Sequence, residues 1–153
     1  MSQIYLVQHG IAKSKDEAPE RPLTDQGKKD VEKVAAWAAQ AKLEVREIRH
    51  SGKTRAQETA EMFGSQLKPE NGVVAVSGMG ATDDVNAFAE SVIPEKQTLM
   101  FVGHLPFLDR FASRLVLNDP ERSLVQFRNG GIVGIVESEG KWLVNLLVTP
   151  EVV

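Results

Sequence analysis

The chain has 153 residues, a length that suits one domain with one core spanning residues 1–153. It contains no cysteine, which excludes disulfides and thiolate zinc sites, and its net charge of −3 with no long basic run argues against a nucleic-acid partner. No apolar run approaches the roughly 20 residues that span a bilayer, and Met1 to Val7 lacks the flank of a secretory signal, so a soluble, cytoplasmic chain with no membrane partner is expected.

Strand-like and helix-like segments alternate along the chain. Ile4 to Val7 is a short apolar run ending at Gln8-His9-Gly10, and it reads as a buried strand. Lys13 to Arg21 is polar and reads as a loop. Thr24 is placed to cap a helix running to about Lys42, with Val31, Val34, Ala35, Ala38 and Ala41 on one face. Val45 to His50 reads as a second strand. Lys53 to Leu67 reads as a helix, with Ala56, Thr59, Ala60, Phe63 and Leu67 at helical spacing, and Val73 to Val76 reads as a third strand. Thr82 is expected to cap a helix through Ile93, with Asp83 and Asp84 in its first turn, where negative charge suits the helix dipole.

Thr98 to Val102 is the clearest buried strand, and it ends in Gly103-His104. Pro106 fits the first turn of the helix that follows, whose apolar face holds Phe107, Leu108, Phe111, Ala112 and Leu115. Gly131 to Val136 and Trp142 to Val148 read as two strands joined by a turn at Ser138-Glu139-Gly140. Strand and helix in alternation, then a hairpin, point to an α/β fold: a mainly parallel sheet with helices on both faces. Ligands of such sheets sit beyond the carboxyl ends of the strands.

The three histidines all fall at strand ends: His9 after the first, His50 closing the second, His104 after the fourth. A lone histidine is commonly structural. Two that adjoin glycine at strand ends point instead to a ligand, because glycine lets the backbone approach closely. Arg55 and Lys53 add a second clue. They stand at the start of a helix, where the dipole opposes positive charge, and a bound anion would remove the conflict. Ser51-Gly52-Lys53-Thr54 has the form of the end of a nucleotide phosphate loop, but Glu47 stands where that motif needs glycine. Gly78-Met79-Gly80 is too short for a dinucleotide fingerprint.

Taken in order, the strand ending in Gln8-His9-Gly10, then Arg21-Pro22-Leu23-Thr24, then Ser51-Gly52-Lys53-Thr54-Arg55-Ala56-Gln57-Glu58-Thr59-Ala60, then Val102-Gly103-His104 resemble the histidine phosphatase superfamily. The likeness is strongest to its short, SixA-type phosphohistidine phosphatase branch. The resemblance implies a three-layer, phosphoglycerate-mutase-like α/β sandwich that needs no metal and no cofactor. It implies His9 as the nucleophile, and Arg55 and His104 as catalytic phosphate-binding partners. Arg21 is implied as a further phosphate ligand, and so is Gln8, beside the nucleophile.

Gln8 departs from the pattern, because the family usually has arginine there. A glutamine amide still donates hydrogen bonds but carries no charge. Arg21 or Lys53 would restore part of it. The acid that protonates an alcohol leaving group is also missing from its usual place; Asp83 and Asp84 are the candidates, and both read better as helix N-terminal residues. An imidazole leaving group needs such an acid less. The expected substrate is therefore phosphohistidine on a partner protein. The alternatives are a weakened phosphate- or phosphoprotein-binding member, and a phosphatase for small phosphomonoesters.

Overall fold

The computed structural model describes residues 2–153. Six strands and four α-helices follow one another: β1 (Gln3–Gln8), α1 (Asp25–Gln40), β2 (Glu47–His50), α2 (Thr54–Leu67), β3 (Val73–Ala75), α3 (Val85–Val92), β4 (Thr98–Gly103), α4 (Phe107–Leu117), β5 (Ile132–Ser138) and β6 (Lys141–Val148). The strands form one sheet in the order β3-β2-β4-β1-β5-β6. The first four run parallel, β5 lies antiparallel to β1, and β6 antiparallel to β5. Among the described residues no helix is long and apolar enough to cross a membrane.

Right-handed crossovers decide where the helices lie. The chain moves from β1 to β2 to β3 in one direction, which lays α1 and α2 on one face. It then returns to β4, which lays α3 and α4 on the other. The two cores follow. Tyr5, Val7, Met100 and Val102 pack with Val31, Val34, Ala60 and Phe63 of α1 and α2. Ile4, Leu6, Leu99 and Phe101 pack with Phe88, Phe107 and Phe111 of α3 and α4. Strand residues alternate between faces, so a strand covered on both must be apolar throughout. That is why β1 and β4 read as unbroken apolar runs. The result is the three-layer α/β sandwich expected, with a mixed sheet.

Several boundaries differ from the expectations. Thr24 does cap α1, its Oγ1 accepting from the Gly27 amide at 2.9 Å. The cap of α3, however, is Asp84 rather than Thr82: Asp84 Oδ1 accepts from the Asn86 and Ala87 amides. Both residue types cap well, and the one whose oxygen reaches the free amides takes the place. The helix stops at Val92, and Ile93–Glu95 continues as a 3-10 turn. Pro106 stands just before α4 rather than inside its first turn. The hairpin strands run on to a two-residue turn, Glu139-Gly140, with φ of 52° and 78°. Two positive φ values match the right-handed twist of the flanking strands.

The order of strands creates the crevice. β1 and β4 are neighbours, yet α1 leaves β1 toward one face and α4 leaves β4 toward the other. A cleft opens where the connections diverge, beyond the carboxyl ends of these two strands. His9 and His104 are the residues that follow those ends.

Candidate active site

The two histidines meet in that crevice. Their ring centroids are 5.1 Å apart with the planes tilted by 55°. Backbone pairing sets the distance: the His9 amide donates to the Gly103 carbonyl at 3.0 Å, continuing the β1–β4 ladder. Asn129 Nδ2 donates to the His9 carbonyl at 2.9 Å from the segment before β5. The ring of His9 is oriented by its own neighbour, since Nδ1 lies 2.7 Å from the Gly10 carbonyl oxygen. A carbonyl can only accept, so Nδ1 carries the hydrogen and Nε2 is left with a free lone pair.

Both imidazoles are held toward the neutral form. Burial lowers the pKa of His9, the Gly10 carbonyl opposes it, and Arg55 and Arg21 lower it further. His104 is only 4% exposed. Burial, then His9, Arg55, Lys53 and Arg21, push its pKa down to about 4. Every charged group acting on the two rings is positive. His104 Nε2 lies 2.6 Å from Ser51 Oγ, while its Nδ1 is buried without a partner.

Those cations come from two places. Arg55 is the second residue of α2, which has no acidic residue in its first turn and no side-chain cap from Lys53. Its Nε is buried with no hydrogen-bond partner, and burial and Arg21 make its guanidinium less basic than usual. Arg21 belongs to the loop before α1, at φ 52°, and its Nε donates to the Lys13 carbonyl at 3.0 Å. Arg21, Lys53 and Arg55 line a cavity of about 470 Å³ together with Lys15 and Glu20. Four cations face one carboxylate there, a composition suited to an anion.

Two side chains of α2 hold the surrounding loops. Thr59 Oγ1 donates to the Arg55 carbonyl at 2.8 Å and accepts from the Gly10 amide at 3.0 Å. Glu58 Oε1 accepts from the Leu23 amide at 2.8 Å, fixing the end of the loop that carries Arg21. Gly10 is required for close approach, because a Cβ there would stand 2.8 Å from Val31 Cγ2 and 3.2 Å from the Gly27 carbonyl oxygen.

Residues 4–76, from β1 through β3, match a family model. The family is the histidine phosphatase superfamily, branch 1. The match takes in Gln8, His9, Arg21, Ser51 and Arg55. No curated protein matches the chain in sequence. Solved structures extend the likeness over nearly the whole chain as a likeness of fold. The protein histidine phosphatase SixA, complexed with tungstate, matches at a TM-score of 0.84 and 21% identity, covering 97% of both chains. A SixA protein from Agrobacterium tumefaciens matches at 0.78 and 18%, again covering 97% of both. A phosphoserine phosphatase from Entamoeba histolytica, in complex with phosphoserine, matches at 0.72 and 14%, covering 99% of this chain and 98% of that one.

Within this histidine phosphatase fold, the residues singled out in the sequence divide into four groups. His9 and His104 are brought into contact, and Arg21, Lys53 and Arg55 lie close enough for their charges to bear on His104. Gln8 closes β1, paired in register with Gly103, and its carbonyl accepts from the Gly130 amide at 2.8 Å. Asp83 and Asp84 are engaged locally: Asp83 Oδ2 accepts from the Gly80 amide at 2.6 Å, and Asp84 caps α3. Neither is among the charges acting on His9 or His104. His50 braces its own turn, with Nδ1 accepting from the Gly52 amide at 3.0 Å. Ser51 and Thr59 were not identifiable as site residues from sequence, because each is defined by a partner 53 or 49 positions away. Among the described residues, no three of His, Cys, Asp and Glu gather as metal ligands.

Proposed function

We propose that this chain is a phosphatase that removes the phosphoryl group from phosphohistidine on a partner protein, through a covalent intermediate at His9. One observation carries the reading. Two imidazoles held toward neutrality stand 5.1 Å apart in the β1–β4 crevice, with only positive charge acting on them.

The lone pair on His9 Nε2 attacks phosphorus, forming a P–N bond as the P–N bond of the substrate breaks. The departing imidazole keeps the electron pair of the broken bond. If its other nitrogen is already protonated it leaves as neutral imidazole; if not, the ring takes a proton from water as it leaves. Water then attacks the phosphorus on His9, the His9–P bond breaks, and inorganic phosphate leaves. The transferring group bears charge on three oxygens, and little covalent work is left to the protein beyond positioning and charge stabilisation. Arg55 and Arg21 supply forked donors for those oxygens, and His104 supplies a further one. No metal or cofactor is needed in this scheme.

The leaving group separates phosphohistidine from small phosphomonoesters. An alkoxide needs a positioned acid, and the two candidates offered by the sequence are engaged locally, Asp83 with the Gly80 amide and Asp84 as the cap of α3. An imidazole departs without one. The relatives in fold include both a protein histidine phosphatase and a phosphoserine phosphatase, so the panel must hold both classes. Incubation with phosphoramidate, a phosphohistidine protein and phosphomonoesters, followed by a rapid quench, tests the proposal. Turnover of the P–N substrates with an acid-labile phosphoenzyme that His9→Ala abolishes is expected. Wild-type turnover by His9→Ala overturns it.

A further inference from the structure

We propose that Ser51 is a positioning residue that fixes the tautomer of His104, so that His104 presents Nδ1–H to a phosphoryl oxygen. The inference rests on the phosphoryl site proposed above, and its test is independent of turnover.

The hydrogen bond between Ser51 Oγ and His104 Nε2, at 2.6 Å, has two possible senses. Ser51 sits in the turn between β2 and α2. The Lys53 amide donates to Ser51 Oγ at 3.4 Å, so the hydroxyl oxygen already accepts a bond. The oxygen has a second lone pair, but among the described residues the acceptor within reach of the hydroxyl hydrogen is Nε2 of His104. A neutral imidazole that accepts at Nε2 carries its one hydrogen on Nδ1. That atom is buried and has no partner among the described residues.

A second orphan decides what it faces. Arg55 Nε is also buried without a partner, and it can only donate. With Ser51 donating, both orphans are donors, and one set of anionic oxygens satisfies both. With the reverse tautomer, His104 would aim a lone pair at the anion and repel it. Leaving a buried donor unmade is costly, so two such donors beside one crevice favour a shared acceptor.

The pair His9–His104 thus uses one ring nitrogen pattern for two tasks. The Gly10 carbonyl accepts from Nδ1 of His9 and leaves Nε2 as nucleophile. Ser51 donates to Nε2 of His104 and leaves Nδ1–H as donor. An acceptor sets one ring and a donor sets the other.

Long-range proton–nitrogen spectra of the ¹⁵N-labelled protein near neutral pH read the tautomer directly. The natural protein should show His104 protonated at Nδ1. Ser51→Ala should shift it toward the Nε2–H form and lower kcat on phosphoramidate about 10-fold with little change in KM, the loss of one transition-state contact. Ser51→Thr, which keeps the hydroxyl, should retain the natural tautomer and restore kcat. An Nε2–H tautomer in the natural protein, or an unchanged tautomer in Ser51→Ala, overturns the proposal. A protein with Ser51-dependent Nδ1–H but no phosphoramidate turnover would instead overturn the phosphatase reading and leave the role of Ser51 standing.

Discussion

Gln8 stands where the resemblance places arginine, and that departure bears on how fast such a site would work. It closes β1 directly before His9, opposite Gly103. Its amide offers two hydrogens but no fixed charge. Burial first, and then the charge of Arg21, make Arg55 less basic than usual, so the two arginines already repel each other. A third arginine would add to that repulsion in the empty site and repay it once three anionic oxygens arrive. Gln8→Arg is therefore expected to raise the rate on phosphoramidate, by about 10-fold if roughly 1.4 kcal/mol of transition-state stabilisation is recovered. Arg21→Ala should cost more in the natural protein than in Gln8→Arg, because two cations sharing one task do not add. Steady-state kinetics on the four proteins of this cycle check both expectations. An unchanged or slower Gln8→Arg protein would favour a binding module over a catalyst.

At the scale of elements, the site depends on how helix α2 grips the strand ends. Thr59 reads in the sequence as part of an apolar helix face, and it is indeed fully buried. Its hydroxyl links the Arg55 carbonyl to the Gly10 amide, and so ties the anion-facing turn of α2 to the segment after β1. Thr59→Val keeps the shape but leaves a buried amide without an acceptor, which costs about 1–3 kcal/mol. Urea unfolding should show that loss, with a reduced rate because the segment carrying His9 is loosened. Thr59→Ser keeps the hydroxyl and should hold both better than Thr59→Val. The apolar spacing of α2 was legible from Ala56, Thr59, Ala60 and Phe63, since periodicity is a local property. The bond from Thr59 to Gly10 was not, since it joins positions 49 apart. The same limit explains the cap of α3. Thr82 and Asp84 are both capping residue types, Asp the stronger, and the path of the backbone brings the Asp84 oxygen to the free amides.

Over the whole molecule, the alternation of strands and helices already placed His9 and His104 on one sheet edge. The strand order was not legible. Nothing in Thr98 to Gly103 says that β4 inserts between β1 and β2, and that insertion is what brings the two rings to 5.1 Å. The insertion also surrounds His104 with burial and positive charge, and this has a consequence for stability against acid. In the folded chain His104 titrates at about 4, below its ordinary value of 6.5. Between those values the unfolded chain binds more protons, so stability rises with pH across that window. The contribution is fully present above 6.5 and is lost as pH falls toward 4. A single group of this kind adds a slope of up to about 1.4 kcal/mol per pH unit. His9 and His50 are also lowered and act with the same sign, so the share of His104 must be isolated by difference. Urea unfolding of the natural protein and of His104→Asn, compared from neutral pH down to about pH 4, should show the natural protein losing more stability on acidification. Inorganic phosphate should narrow the gap. On the proposed reading it binds the folded state alone, and an anion beside the ring would raise the pKa that burial and the cations had lowered. Parallel pH profiles for the two proteins would mean that His104 titrates normally, and that the positive field does not converge on the crevice.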